Sequence, residues 1–295
     1  MKKHFAVAVA ALAISLIAAS SIVSGQATCD KSDYDCQIRL YRDQIAANSK
    51  NAEAYYSLGL ALQNKDQYAE SITVLTAYID SGVTNTGYLA DGYSLRGYAY
   101  ARLEDHERAV SDYTRAIGYA PTNSSYYYQR GRAYNSIRKF DLSIPDFTKA
   151  LSLSPNGSSA YFGRGYAYME QKTYPLAIDD FTKAISLDPM EDEAFYNRGT
   201  IYYRQAKYNL AIADLDKYID LNKANKNNLA DGYLNRGLAY HYSGSFDRAV
   251  ADFSSAIGLN PSMKNAYTNR ATSYRKLNKV ALATADETTA AELQP

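Results

Sequence analysis

Residues 195–199 read FYNRG, and the same five-residue frame returns along the chain as YSLRG at 93, YYQRG at 127, YFGRG at 161, YLNRG at 233 and YTNRA at 267. The arginines fall at 96, 130, 164, 198, 236 and 270, so the spacings are 34, 34, 34, 38 and 34. A 34-residue period is a signature of stacked helical hairpins. Around each arginine the apolar residues follow the helical spacing i, i+3, i+4, i+7: Phe195, Gly199 and Tyr202 on one segment, then Ala211, Leu215 and Tyr218 on the next. Prolines 121, 155, 189, 261 and 295 stand at one phase of the period, where the second helix of a pair must stop. A hairpin of this size cannot bury its apolar face alone, so it must stack on its neighbours.

At this resolution the chain resembles the tetratricopeptide repeat family over nearly everything after residue 51. Residues 158–191 carry the family's pattern of an aromatic, a glycine, a tyrosine, an alanine, an aromatic, an alanine and a proline as Tyr161, Gly165, Tyr168, Ala177, Phe181, Ala184 and Pro189. The resemblance implies an all-α, right-handed superhelical α-solenoid of about seven hairpins with an N-terminal capping helix. The organisation that follows is a leader at 1–27, a cap at 28–51, and units at 52–89, 90–123, 124–157, 158–191, 192–229, 230–263 and 264–295.

Two departures from the family pattern stand out. The chain has no tryptophan, so Tyr55, Tyr93, Tyr127, Tyr161, Phe195, Tyr233 and Tyr267 fill the first aromatic position. And where the family usually has leucine before the glycine, six units have arginine. Sixteen residues after each arginine lies an aspartate, which gives the pairs Arg96 and Asp112, Arg130 and Asp146, Arg164 and Asp180, Arg198 and Asp214, Arg236 and Asp252, and Arg270 and Asp286. The first unit replaces both members at once, with Leu58 and Val74. Joint replacement is what contact between the two helices of a hairpin requires. The row is therefore expected to be a structural ladder of bidentate ion pairs; the competing reading makes the arginines an anion-binding row.

The 38-residue spacings follow the first and fifth units, and their sequences agree: YIDSGVTNTGYLADGY at 78 and YIDLNKANKNNLADGY at 218. They read as longer loops at one edge, on a chain that uses a four-unit block twice. Residues 33–48 have the phase of a second helix without its first, as expected of a cap. Helix B of the last unit carries Glu287 where other units carry a large apolar residue, which suits a terminal hairpin that nothing covers.

The N-terminus has Met1, Lys2 and Lys3, an uncharged run from Phe5 to Val23, and then the small-residue stretch SGQAT. That is the layout of a cleaved secretory leader; an uncleaved membrane anchor is the alternative, since the run is just long enough to span a bilayer. The expectation is an exported protein, periplasmic or secreted, with no integral membrane segment after cleavage. In an exported chain Cys29 and Cys36, the only cysteines, read as a local disulfide, with two separate thiols as the alternative.

Without residues 1–27 the chain loses two lysines and no acid, leaving 30 basic against 31 acidic residues. Such balance argues against a nucleic-acid partner. The remaining sequence has two histidines, His106 and His241, and no HExxH, GxSxG or phosphate-loop pattern. Neither catalytic residues, nor a metal site, nor a cofactor is expected.

What the resemblance does imply is binding of protein or peptide on the concave, helix A face. Carried over by position, that face collects Tyr98, Tyr128, Arg132, Phe162, Tyr166, Tyr196, Tyr203 and Tyr242, with Tyr56, Leu238 and His241 beside them. Rigid amphipathic rings suit an extended peptide; the competing use for these tyrosines is packing between adjacent helices. The clamp by which some family members grip a C-terminal carboxylate has no counterpart here. The expected function is a non-catalytic exported scaffold. The alternatives are an envelope assembly factor or chaperone, or an accessory subunit of a cell-wall or glycan-processing enzyme.

Overall fold

The structure is a computed structural model that describes residues 29–223 and 226–293; the expected leader at 1–27 and Pro295 lie outside them. Every regular element among the described residues is an α-helix. The chain divides into two compact units, one up to Thr84 and one from Asn85.

The first unit holds α1 (Tyr34–Ala47), α2 (Ala52–Asn64) and α3 (Tyr68–Asp80). The cap is a single helix whose Ile38 packs with Leu58, Ala61 and Leu62 of α2, and Tyr41, Ile45 and Val74 lean on the same cluster. Leu58 and Val74, the apolar substitutes for arginine and aspartate, thus meet in one hydrophobic cluster. Cys29 and Cys36 are joined as a disulfide that ties the preceding segment to the first turn of α1. Closing so short a loop contributes about 2–3 kcal/mol in a chain-entropy view. Asp33 caps the same turn by accepting from the Cys36 N–H at 2.9 Å.

The second unit is a stack of six hairpins: α4 (Thr86–Arg102) with α5 (His106–Tyr119), α6 (Ser124–Ser136) with α7 (Phe140–Leu153), α8 (Ser158–Glu170) with α9 (Tyr174–Leu187), α10 (Asp192–Arg204) with α11 (Tyr208–Asn222), α12 (Lys226–Tyr242) with α13 (Phe246–Leu259), and α14 (Lys264–Lys276) with α15 (Val280–Glu292). Inside the first five of these hairpins the large apolar residue of helix B lies over the glycine of helix A, as Tyr113 does over Gly97 and Leu215 over Gly199. Phe147, Phe181 and Phe253 are wholly buried and Tyr113 nearly so. A Cβ added at Gly237 would come within 2.7 Å of the Phe253 ring. The small residue sets how closely the two helices approach, and each buried aromatic contributes about 1.5–3 kcal/mol.

Seven turns join helix A to helix B, and each has one residue in the left-handed region: Asp66, Glu104, Arg138, Lys172, Ala206, Gly244 and Asn278. The following N–H then donates back across the turn, as Lys207 N does to Tyr202 O at 2.9 Å. This is the Schellman closure that satisfies the last carbonyls of a helix.

Six arginine–aspartate pairs run through the second unit. Each arginine donates from Nε to Oδ2 at 2.7–2.8 Å and from Nη2 to Oδ1 at 2.6–2.9 Å of the aspartate sixteen residues on. The aspartate side chains are 7–9% exposed and the arginines 15–19%. Their carboxylates raise the guanidinium pKa above its ordinary value, as the hydrogen bonds to Asp180 do for Arg164. The third nitrogen crosses between hairpins: Nη1 of Arg130, Arg164 and Arg198 donates to Thr114, Thr148 and Thr182, that of Arg270 to Ser254, and that of Arg236 to Asp216. The guanidinium also lies between the two aromatics of its own helix, as Arg198 does at 5.9 Å from both Phe195 and Tyr202.

The 38-residue spacings differ from expectation. The extra residues lengthen a helix: α4 and α12 have 17 residues, where α6, α8, α10 and α14 have 13. Residues 86–89 and 226–229, placed by the sequence at the ends of the preceding units, belong to the following helix A. Four residues are close to one turn of 3.6, so the helix lengthens without turning its faces.

Candidate functional site

Within the second unit helix A follows helix A closely, from α4 to α6, α8, α10, α12 and α14, whereas successive B helices make no comparable approach among the described residues. The A helices therefore form the inner row of the stack. The residues that sequence reading assigned to this face are accessible in part, but they divide into separate groups.

Phe162, Tyr166 and Tyr196 share one recess of about 420 Å³, within the ~300–1,000 Å³ range of ligand pockets. Phe162 stands on α8 with its ring 5.8 Å from that of Phe181 below it. Tyr166, one turn further, meets Phe140 edge-on at 6.3 Å. Tyr196 on α10 has its ring 5.0 Å from that of Tyr218 and accepts a hydrogen bond from Asn235 Nδ2 at 2.8 Å. Burial pushes the Tyr196 hydroxyl above its ordinary pKa, and Asp231 adds to the shift.

Tyr203 and Tyr242 lie elsewhere, with Tyr208, as three rings 5.9–6.2 Å apart beside the hairpin turns. Tyr128 rests against Phe147 at 6.0 Å, and the exposed Arg132 covers its ring at 5.7 Å. Tyr98 accepts from Arg102 Nη1 at 2.9 Å. Of the eight residues, Phe162, Tyr166 and Tyr196 line the recess and the other five lie outside it.

The recess also takes residues that sequence reading missed: Glu193 and Asn197 of α10, Tyr218 of α11 and Asp231 of α12. Tyr218 is 4% exposed and forms the floor. Its equivalents in the neighbouring hairpins are alanines, Ala184 and Ala256, both fully buried. Room for the larger ring comes from Gly232, where an added Cβ would meet Tyr218 Cε1 at 2.7 Å. A tyrosine at an alanine position, followed by glycine where Ala194 and Ala266 stand in other units, was the signal that could have found it.

The electrostatics of the floor have one sign. Burial pushes the Tyr218 hydroxyl upward, and the surrounding groups that push it further are Tyr196, Asp192, Asp231 and Glu193. Asp192 accepts from Asn222 Nδ2 at 2.7 Å. Among the described residues no lysine or arginine lines the recess. No group of three or more metal-binding side chains occurs among them either. Nor is any described helix long and apolar enough to cross a membrane.

Comparison with known proteins agrees with this architecture. Family models described as tetratricopeptide repeat and TPR repeat match residues 52–81, 90–123, 124–156, 192–225 and 230–263, and residues 165–206. No curated protein matches the chain at a significant level. Among solved structures, MamA is 26% identical with a TM-score of 0.53, covering 57% of this chain and 90% of its own. YrrB, described as a TPR protein with an unusual peptide-binding site, is 20% identical with a TM-score of 0.53 over 69% of this chain and 97% of its own. The C-terminal part of a TPR repeat-containing protein from Cytophaga hutchinsonii is 18% identical, with a TM-score of 0.63 over 80% of this chain and 94% of its own. These last two likenesses concern the fold.

Proposed function

We propose, starting from a chain that belongs to the tetratricopeptide repeat family, that this protein is an exported, non-catalytic scaffold that binds a protein or peptide partner on the inner face of its A helices. The family fold carries the general part, since its members are typically protein-interaction scaffolds. One observation carries the specific part: Phe162, Tyr166 and Tyr196 converge on a single recess floored by Tyr218, and rigid rings supply contact area at low entropy cost. Export is supported by the leader-like residues 1–27 and by the disulfide between Cys29 and Cys36, a bond of oxidising compartments.

The test is crosslinking capture in the native host with the full chain beside a Phe162→Ala/Tyr166→Ala/Tyr196→Ala variant of matched helicity. A partner held by the first and lost by the second is expected; equal capture by both would remove the recess from the reading. Fractionation decides the exported part, and residence with cytoplasmic markers would overturn it.

A further inference from the structure

Away from the recess, three consecutive turns between helix A and helix B repeat one pattern: RKFDL at 138, KTYPL at 172 and AKYNL at 206. Each gives a cation, then a ring that opens helix B, then a leucine at the third position of α7, α9 or α11. The cations Arg138, Lys139, Lys172 and Lys207 are exposed. Leu142, Leu176 and Leu210 are 48%, 44% and 50% exposed. The turns lie side by side along one edge of the second unit. Lys139 reaches Glu107 at the start of α5 at 3.0 Å, Arg138 donates to Glu170 at the end of α8 at 2.7 Å, and the Tyr208 ring stacks 6.1 Å from that of Tyr242 at the end of α12.

Single exposed leucines need no explanation, but one at an equivalent position in each of three stacked hairpins forms a row. Within each five-residue pattern the cations outnumber the acids by one, so the row is positive although the chain as a whole is almost neutral. A second copy of the chain fits it poorly. A twofold pairing centred on Leu176 would bring Lys172 against Lys172 and Lys207 against the second copy's Lys139, like charge on like. A protein partner would need an apolar site and an acid in register with all three turns, whereas an anionic bilayer presents both everywhere. Leucine enters the acyl boundary, tyrosine suits the headgroup level, and a lysine stem lies along apolar surface while its charge stays with the phosphates. We infer that this edge rests on an anionic lipid surface, with Leu142, Leu176 and Leu210 inserted and Lys172 and Lys207 at the headgroups. The edge is separate from the recess, and neither site needs the other.

Because the chain has no tryptophan, one placed in the row reports insertion without background. Leu176→Trp is compared with Met190→Trp, whose position is 64% exposed between α9 and α10 at the opposite edge. Both are recovered from the native host so that they share one N-terminus. Each is mixed with vesicles of phosphatidylglycerol and phosphatidylcholine, or of phosphatidylcholine alone. On the mixed vesicles Leu176→Trp fluorescence should shift to the blue and be quenched by brominated acyl chains, and Met190→Trp should do neither. Binding should weaken in high salt and on phosphatidylcholine alone. Adding Lys172→Glu/Lys207→Asp to Leu176→Trp copies Glu104 and Asp105 of the turn before α5. That variant should keep its helicity and bind the mixed vesicles about tenfold more weakly or less still. No response of Leu176→Trp to anionic vesicles would overturn the inference, as would an equal response from Met190→Trp or from the charge-reversed variant. A blue shift without vesicles that grows with protein concentration would overturn it in favour of a second copy, and one that requires added host protein instead of lipid in favour of a protein partner.

Discussion

Arg198 grips Asp214 of its own hairpin through Nε and Nη2 at 2.8 and 2.7 Å and reaches Thr182 of the preceding hairpin through Nη1 at 2.8 Å. One guanidinium therefore joins both helices of one unit and ties that unit to the next. Truncating either partner alone strands the other's charge in a site less than one-fifth exposed, which costs about 3–5 kcal/mol. Arg198→Leu/Asp214→Val installs the apolar pair that Leu58 and Val74 form naturally in the first unit. The double variant should lose less than either single one in urea unfolding followed by circular dichroism. Additive losses would show that the pair is not the unit of stability.

The inter-hairpin contact can be isolated. Thr182→Val keeps the side-chain shape and removes the hydroxyl that receives Arg198 Nη1. A hydrogen bond to a charged group contributes about 1.5–3 kcal/mol, less where water replaces it at an exposed position such as this one. A loss of about 1 kcal/mol is expected. Hydrogen exchange should quicken in α9 and α10 before it does in α14, since a stacked array couples nearest neighbours. Uniform quickening along the unit would contradict a local link.

The left-handed turn residue offers a gain rather than a loss. Ala206 sits at φ 56°, where a Cβ is disfavoured by about 1–2 kcal/mol, whereas Gly244 occupies the equivalent turn at φ 84°. Ala206→Gly should raise stability by about 0.5–1 kcal/mol, discounted for the extra freedom of glycine in the unfolded chain. Gly244→Ala should lower it by a similar amount. Thermal midpoints measured for both variants would check the opposite signs.

The fold was legible because it is written many times. The arginine–aspartate spacing repeats in six units, and its paired replacement by Leu58 and Val74 pointed to contact between helices. The bridge to Thr114, Thr148 and Thr182 was present in the sequence at the same constant phase but went unread, since threonine in a helix has no charge to draw notice. The extra turns of α4 and α12 read as loops in the sequence because polar residues such as Asn227 and Asn228 carry no apolar period. The site was less legible for a related reason. Family positions name a face, yet local packing decides which neighbours each ring meets, so Tyr203 stands with Tyr208 and Tyr242 while Tyr196 lies over Tyr218 at the recess. Tyr218 belongs to helix B, outside the helix A positions that the family pattern names.

That tyrosine also joins fold to site, through Gly232. An added Cβ at 232 would lie 2.7 and 2.9 Å from Tyr218 Cε1 and Cδ1, well inside contact distance for a buried ring. Gly232→Ala should therefore cost about 1–3 kcal/mol by overpacking and displace the floor of the recess. Tyr218→Ala should cost about 3–5 kcal/mol by leaving a cavity beneath Tyr196. Made together, the two changes reproduce the alanine pair formed by Ala184 and Ala194, both fully buried, in the hairpins before it. The double variant should then be more stable than the sum of the single losses allows, because each change relieves the defect of the other. It should nevertheless hold the partner found by crosslinking capture more weakly than the wild type, having the regular stack without the aromatic floor. Stability recovered with binding lost would separate what this exchange does for the recess from what it does for the fold. Recovery of both would show that the floor is packing alone.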